Sequence, residues 1–111
     1  MIVRYLDAVT DTQREISGPG WNSRRMLFAS DNIGYSITDT LINQDVSLTL
    51  EFKKHIVSCY CIEGVGKVSD LSLGSVFELL PGSLYSLNFH DRHILTAITK
   101  LRLVCVFSVP R

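Results

Sequence analysis

Pro81-Gly82-Ser83-Leu84-Tyr85-Ser86-Leu87-Asn88-Phe89-His90-Asp91-Arg92-His93 reads as a tight turn, a short strand, a second turn and the opening of another strand. Proline presets φ and glycine accepts the positive φ that other residues resist, so Pro81-Gly82 marks the first turn. The alternation that follows puts Ser83, Tyr85, Leu87 and Phe89 on one face, and Leu84, Ser86, Asn88 and His90 on the other. The polar run Asn88, His90, Asp91 and Arg92 turns the chain again, so that Tyr85 and His93 come near each other on neighbouring strands. A phenol oxygen and an imidazole converging on one cavity are two ready ligands for a divalent metal. A plainer alternative stays open. Tyrosine is a common half-buried strand residue, and a histidine beside a turn is more often structural or solvated.

The same pattern repeats along the chain. Ile2, Val3, Tyr5 and Leu6 read as a first strand, and residues 7–16 as room for a turn of helix capped at Thr10 or Asp11. Trp21 follows the loop Ser17-Gly18-Pro19-Gly20 and reads as a hydrophobic anchor. Residues 24–28 form the next strand. Beyond the Asp31-Asn32-Ile33-Gly34 turn, Ile33, Tyr35 and Ile37 share one face, and Ser36, Thr38 and Thr40 the other. Those hydroxyls either face water or line a polar cavity. Leu48, Leu50 and Phe52 alternate until Lys53-Lys54. From there His55, Val57, Cys59 and Cys61 share a face, a phase change that implies a bend or bulge near the lysines. Residues 68–73, 76–80, 93–98 and 101–109 complete the strands, the last with Leu101, Leu103, Cys105, Phe107 and Val109 on one side. Short strands at near-regular spacing with glycine or proline at the corners define an all-β barrel or sandwich with little helix.

A length of 111 residues suits one domain with one core. Eleven basic and eleven acidic residues cancel, which leaves no field for nucleic acid or an anionic membrane surface. No apolar run reaches the length of a membrane span, and the N-terminus lacks the pattern of a signal peptide. Cys59, Cys61 and Cys105 have neither zinc-knuckle nor Cys-x-x-Cys spacing. They read as buried thiols of a cytoplasmic protein.

Longer stretches carry a resemblance. Tyr60-Cys61-Ile62-Glu63-Gly64-Val65-Gly66-Lys67-Val68, Pro81-Gly82-Ser83-Leu84-Tyr85 and His90-Asp91-Arg92-His93 resemble the cupin barrel of the ectoine synthase family. So do Met1-Ile2-Val3-Arg4, Trp21-Asn22-Ser23-Arg24-Arg25, Asp31-Asn32-Ile33-Gly34-Tyr35-Ser36, Asp39-Thr40 and Leu103-Val104-Cys105-Val106-Phe107. The similarity is colinear from end to end. It implies a cupin-type β-barrel over residues 1–111, assembled as a head-to-tail homodimer. It also implies a lyase that closes Nγ-acetyl-L-2,4-diaminobutyrate into ectoine with loss of water, using a mononuclear iron (Fe2+) as Lewis acid.

By the same resemblance, Tyr85 and His93 are metal ligands. Trp21, Arg25, Thr40, Phe52, His55, Cys105 and Phe107 line the pocket for the N-acetylated diamino acid, and Thr40, His55 and Tyr85 take part in catalysis. Arg25 would meet the substrate carboxylate with its planar fork. The chain departs from the family at Val57, where the third metal ligand is a glutamate. It departs again at Phe52, where a tyrosine is usual, and at Thr38, where an asparagine is common. The family pattern also continues past residue 111 with an acidic, histidine-containing tail that helps close the pocket. A valine offers no lone pair, and two protein donors seldom hold a catalytic divalent ion. Cys59, roughly 7 Å along the strand from Val57, is too far to replace the carboxylate. Three functions follow for comparison: ring closure, a barrel that keeps the fold as a small-molecule-binding module, or a different cupin chemistry at a rearranged site.

Overall fold

The computed structural model describes residues 1–87 and 91–108. In chain order it contains a short helix α1 (Leu6–Val9), β1 (Glu15–Gly18), β2 (Trp21–Leu27), a 3-10 turn (Ala29–Asp31), β3 (Tyr35–Ile42), β4 (Ser47–Leu50) and β5 (Val57–Glu63). Then come β6 (Gly66–Asp70), β7 (Val76–Leu79), β8 (Leu84–Leu87), β9 (His93–Ala97) and β10 (Leu101–Ser108). They form a six-stranded sheet ordered β1-β2-β3-β10-β5-β8 and a four-stranded sheet ordered β4-β9-β6-β7. Every pairing is antiparallel. The core lies between them, where Ile42, Cys61, Leu101 and Leu103 of the larger sheet meet Val68, Leu79, Leu95 and Ala97 of the smaller.

Register sorts the inward residues of the large sheet into rows. Trp21, Ile42 and Leu101 form one row. Ser23, Thr40, Leu103 and Cys61 form the next. Arg25, Thr38, Cys105, Cys59 and Tyr85 follow, and then Ser36, Phe107, Val57 and Leu87. Apolar packing thus dominates one end, and hydroxyls, thiols and aromatic rings gather toward the other. Two glycines make this closeness possible. A Cβ on Gly18 would stand 2.4 Å from the Trp21 indole nitrogen, and one on Gly64 would stand 2.0 Å from the Lys100 carbonyl oxygen. Gly64 also holds a φ of +89°, which L side chains resist.

Two readings of the sequence need correction or refinement. Ile2, Val3, Tyr5 and Leu6 do not make a strand: residues 1–5 lie outside both sheets and Leu6 opens α1. A strand-like run has nothing to gain from β conformation without a ladder to join. Here only Arg4 turns inward, to the Met26 carbonyl and Asp31. The phase change at the lysines is a bend. β4 ends at Leu50, residues 51–56 leave the sheet, and β5 begins at Val57 in the opposite layer. Phe52 therefore sits on the crossing, not on a strand. Asn88, Phe89, His90 and Val109 lie outside the described residues.

Candidate functional site

Tyr85 reaches the interior from β8 of the larger sheet and His93 from β9 of the smaller, so the two sheets bring their side chains to one point. Their rings meet edge to face at 5.6 Å between centroids. Around them stand Phe52, 6.3 Å from His93, and Phe107, 5.5 Å from Phe52. His55 closes the series at 5.8 Å from Phe107. Its Nδ1 lies 2.5 Å from the Ser108 carbonyl. A carbonyl only accepts, so Nδ1 carries the hydrogen and Nε2 is the nitrogen not engaged by Ser108.

His93 is 1 % exposed, and among the described residues neither ring nitrogen meets a partner at hydrogen-bonding distance and angle. Burial pushes its pKa down. The Asp91 backbone and the charges of Asp91 and Asp70 oppose that shift without reversing it. The ring is therefore neutral, and among the described residues the Asp91 backbone is the one group that acts on it as an acceptor, at less than full hydrogen-bond geometry.

Hydroxyls and thiols run across the large sheet to Tyr85. Ser23 Oγ lies 2.7 Å from Thr40 Oγ1, and Thr40 Oγ1 lies 3.2 Å from Thr38 Oγ1. Thr38 faces Cys105 across β3 and β10, and Cys59 faces both Cys105 and Tyr85. Interaction with Cys105 draws the Cys59 thiol below its ordinary value against the effect of burial, and the Tyr85 hydroxyl adds to it. The same interaction, with burial, pushes Cys105 well up. Burial, then the neighbouring Cys59 charge, pushes the Tyr85 phenol far above its usual range. Among these side chains Tyr85 is a neutral hydroxyl.

The pocket residues suggested by the sequence thus separate into groups. Tyr85, His93, Phe52, Phe107 and His55 share one aromatic cluster, and Thr40 and Cys105 join it through Thr38 and Cys59. Trp21 packs against the core two rows away. Arg25 lies on the Tyr85 row, but its guanidinium donates to the Gln13 and Arg14 carbonyls. It also stacks on Phe28, with Cζ 4.4 Å from the ring centroid. Ser23, Thr38 and Cys59 were not singled out as site residues. The period-two hydroxyls at 36, 38 and 40 were the signal for Thr38, once the polar-cavity alternative is taken over the solvent one.

The position that the resemblance gives to a glutamate ligand is occupied by Val57, which is 0 % exposed and part of the hydrophobic core. It faces Phe107 on one side and Leu87 on the other. Among the described residues no three His, Cys, Asp or Glu side chains form a group able to hold a metal ion. Tyr85 and His93 present a phenol and an imidazole to one point, and the position that the resemblance gives to a third donor carries hydrocarbon. The residues present therefore do not fit a three-donor site.

A small antiparallel barrel with convergent side chains inside one end defines a cupin. Solved cupins agree in fold: an RmlC-like cupin from Shewanella frigidimarina superposes with a TM-score of 0.74 at 20 % identity over 91 % of this chain and 86 % of that one. The ectoine synthase family model matches residues 1–111. The L-ectoine synthases of Desulfosudis oleivorans and Alkalilimnicola ehrlichii are 41 % and 42 % identical, each over 99 % of this chain and over 86 % and 84 % of their own lengths. The crystal structure of ectoine synthase from P. lautus matches with a TM-score of 0.94 at 39 % identity, over all of this chain and 80 % of that one. The chain belongs to the ectoine synthase family.

Proposed function

We propose that this protein takes the substrate class of its family, Nγ-acetyl-L-2,4-diaminobutyrate, into the barrel and acts there as a small-molecule-binding module. One observation carries the reading. Val57 is fully buried between Phe107 and Leu87 where a third metal donor would stand, so the hydroxyl and aromatic faces remain while the metal-holding set is broken. Thr40 and His55 Nε2 supply hydrogen bonds to a polar ligand, and Phe52 and Phe107 cover its carbon skeleton. The supporting picture is a reduced cytoplasmic protein with buried thiols. The exposed Ile2, Val3 and Tyr5 are consistent with a homodimer.

His93 favours a second reading, ring closure to ectoine. A buried imidazole without a hydrogen-bond partner among the described residues is costly unless something in the working state meets it. In that reaction the α-amine adds to the acetamide carbonyl carbon and the oxygen leaves as water. The barrel makes the attack intramolecular and shields it from bulk water.

Calorimetric titration with Nγ-acetyl-L-2,4-diaminobutyrate, product assay with and without Fe2+, and metal analysis separate the two. The module reading expects binding without ectoine formation. Stoichiometric iron with turnover establishes the second reading, and absence of binding sinks both. Val57→Glu is expected to destabilise the apoprotein by about 3 kcal/mol, because it buries an unpaired carboxylate. Fe2+ should then restore much of the loss by binding the folded form. If the wild type and Val57→Glu retain iron equally, the missing-donor explanation is wrong.

A further inference from the structure

Cys105 and Cys59 stand directly opposite each other on β10 and β5, with both side chains buried. Their backbone hydrogen bonding can be worked out from the ladder. The Ser108 N–H donates to the Ile56 carbonyl at 2.9 Å, so those two facing residues are a hydrogen-bonded pair. Bonded and non-bonded pairs alternate in an antiparallel ladder. From Ser108–Ile56 the register runs without interruption through Phe107–Val57 and Val106–Ser58 to Cys105–Cys59, which is therefore a non-hydrogen-bonded pair. The other flank of β5 agrees. The Cys61 N–H donates to the Ser83 carbonyl at 2.9 Å, which makes Cys59–Tyr85 the bonded pair and turns the Cys59 backbone groups toward β8.

Facing Cα atoms in a non-bonded pair are about 4.5 Å apart, with their side chains at closest approach. Disulfides form at Cα separations of about 4.4–6.8 Å. Cys61 does not compete. It lies two residues, roughly 7 Å, along β5 from Cys59, and it faces Leu103 instead of Cys105. Of the three thiols, one pair alone has disulfide geometry.

We infer that Cys59 and Cys105 are a reversible oxidation site, a dithiol that a small peroxide converts to a cross-strand disulfide inside the barrel. One thiolate attacks the peroxide O–O bond and becomes a sulfenic acid, releasing hydroxide. The facing thiol then attacks that sulfur, and its oxygen leaves as water once the displaced proton joins it. The net change is two thiols and one hydrogen peroxide to one disulfide and two waters. A thiol reductant reverses it by exchange. Oxidation ties together β5 and β10, the two strands that connect Thr38 to Tyr85. The site thereby acquires an oxidised form, whichever reading of the ligand holds.

The test is peroxide titration of the reduced full chain, followed by alkylation in denaturant and peptide mapping. The expected result is paired loss of two thiols, a linked Cys59–Cys105 peptide, an alkylated Cys61, and full recovery with dithiothreitol. Cys61→Ala should form the same link, and Cys59→Ala should not. If the Cys59 variant fails to fold, the wild type and Cys61→Ala still decide the matter. A link through Cys61, a disulfide between two chains, or a lone sulfinic acid would overturn the inference. So would three intact thiols at a peroxide level that oxidises them in the urea-unfolded chain.

Discussion

On the flank of the barrel, the Asp31 carboxylate receives Arg14 at 2.7 and 2.9 Å, Arg4 at 3.1 and 3.3 Å, and the Phe28 N–H at 3.1 Å. Asp39, on the outer face of the large sheet, is held in the same way by Arg24 of β2 and Arg102 of β10. Inside the barrel His93 is covered more completely than either and has no such partner among the described residues. One sequence thus saturates these two carboxylates and gives a buried imidazole far less. Saturated groups join strands, whereas an unsatisfied one is kept at a cost that folding alone does not explain. The contrast separates scaffold from site without reference to any relative.

The strongest way to break the scaffold half is at Asp39. Its carboxylate joins side chains from β2 and β10 across β3, and Arg102 also reaches Glu63 at 3.4 Å. Asp39→Ala leaves two guanidinium groups without their main acceptor. Partial solvent access moderates the loss, which is expected at about 2 kcal/mol and readable as a lower urea midpoint with an unchanged slope. An unchanged midpoint would show that the network contributes no stability.

Acid titration sharpens the same half with a smaller effect. Hydrogen bonding from Arg14, opposed by burial and aided by the Phe28 N–H and Arg4, holds the Asp31 carboxyl far below its usual range. Burial would raise Asp39, but hydrogen bonds from Arg102 and Arg24 outweigh it and lower its pKa too. A depressed carboxyl stabilises the fold fully above its unfolded pKa of about 4 and loses that contribution as pH falls toward the folded value. Stability should therefore be level with respect to these groups down to about pH 4 and fall below it. Asp31→Asn should flatten the decline, followed by Trp21 fluorescence in urea at each pH. A decline as steep in the variant as in the wild type would remove Asp31 from the account.

Much of this arrangement was legible in the chain. Tyr85 and His93 converge, as local alternation along the stretch from Pro81 to His93 led one to expect. The barrel class followed from the same alternation, and the burial of Val57, Cys59 and Cys61 from their shared face. Strand order did not follow. β10 lies between β3 and β5, a non-local choice that no window of sequence displays, and only that choice puts Cys105 between Thr38 and Cys59. The strand expected at Ile2, Val3, Tyr5 and Leu6 failed for a related reason, since β character needs a ladder partner. Arg25 shows another limit. The resemblance gave it a carboxylate partner, but the segment leading into β1 offers it the Gln13 and Arg14 carbonyls.

The other half of the contrast is tested at His93, where the expected change is the smallest and has the opposite sign. Replacing a buried imidazole that meets no well-formed hydrogen bond among the described residues removes a desolvation cost of about 1–3 kcal/mol, while Leu fills similar space against Leu50, its neighbour across the β4–β9 ladder. Imperfect fit consumes part of the gain. His93→Leu is thus expected to raise stability by about 1 kcal/mol, while the calorimetric response to Nγ-acetyl-L-2,4-diaminobutyrate falls or disappears. Gain of stability with loss of binding marks a residue kept for what it meets in the occupied barrel. If stability falls instead, the ring nitrogens already have partners in the resting protein and the distinction between His93 and Asp31 collapses. If stability rises and binding is untouched, His93 is bare but idle, and the ligand must rest on Thr40 and His55 alone.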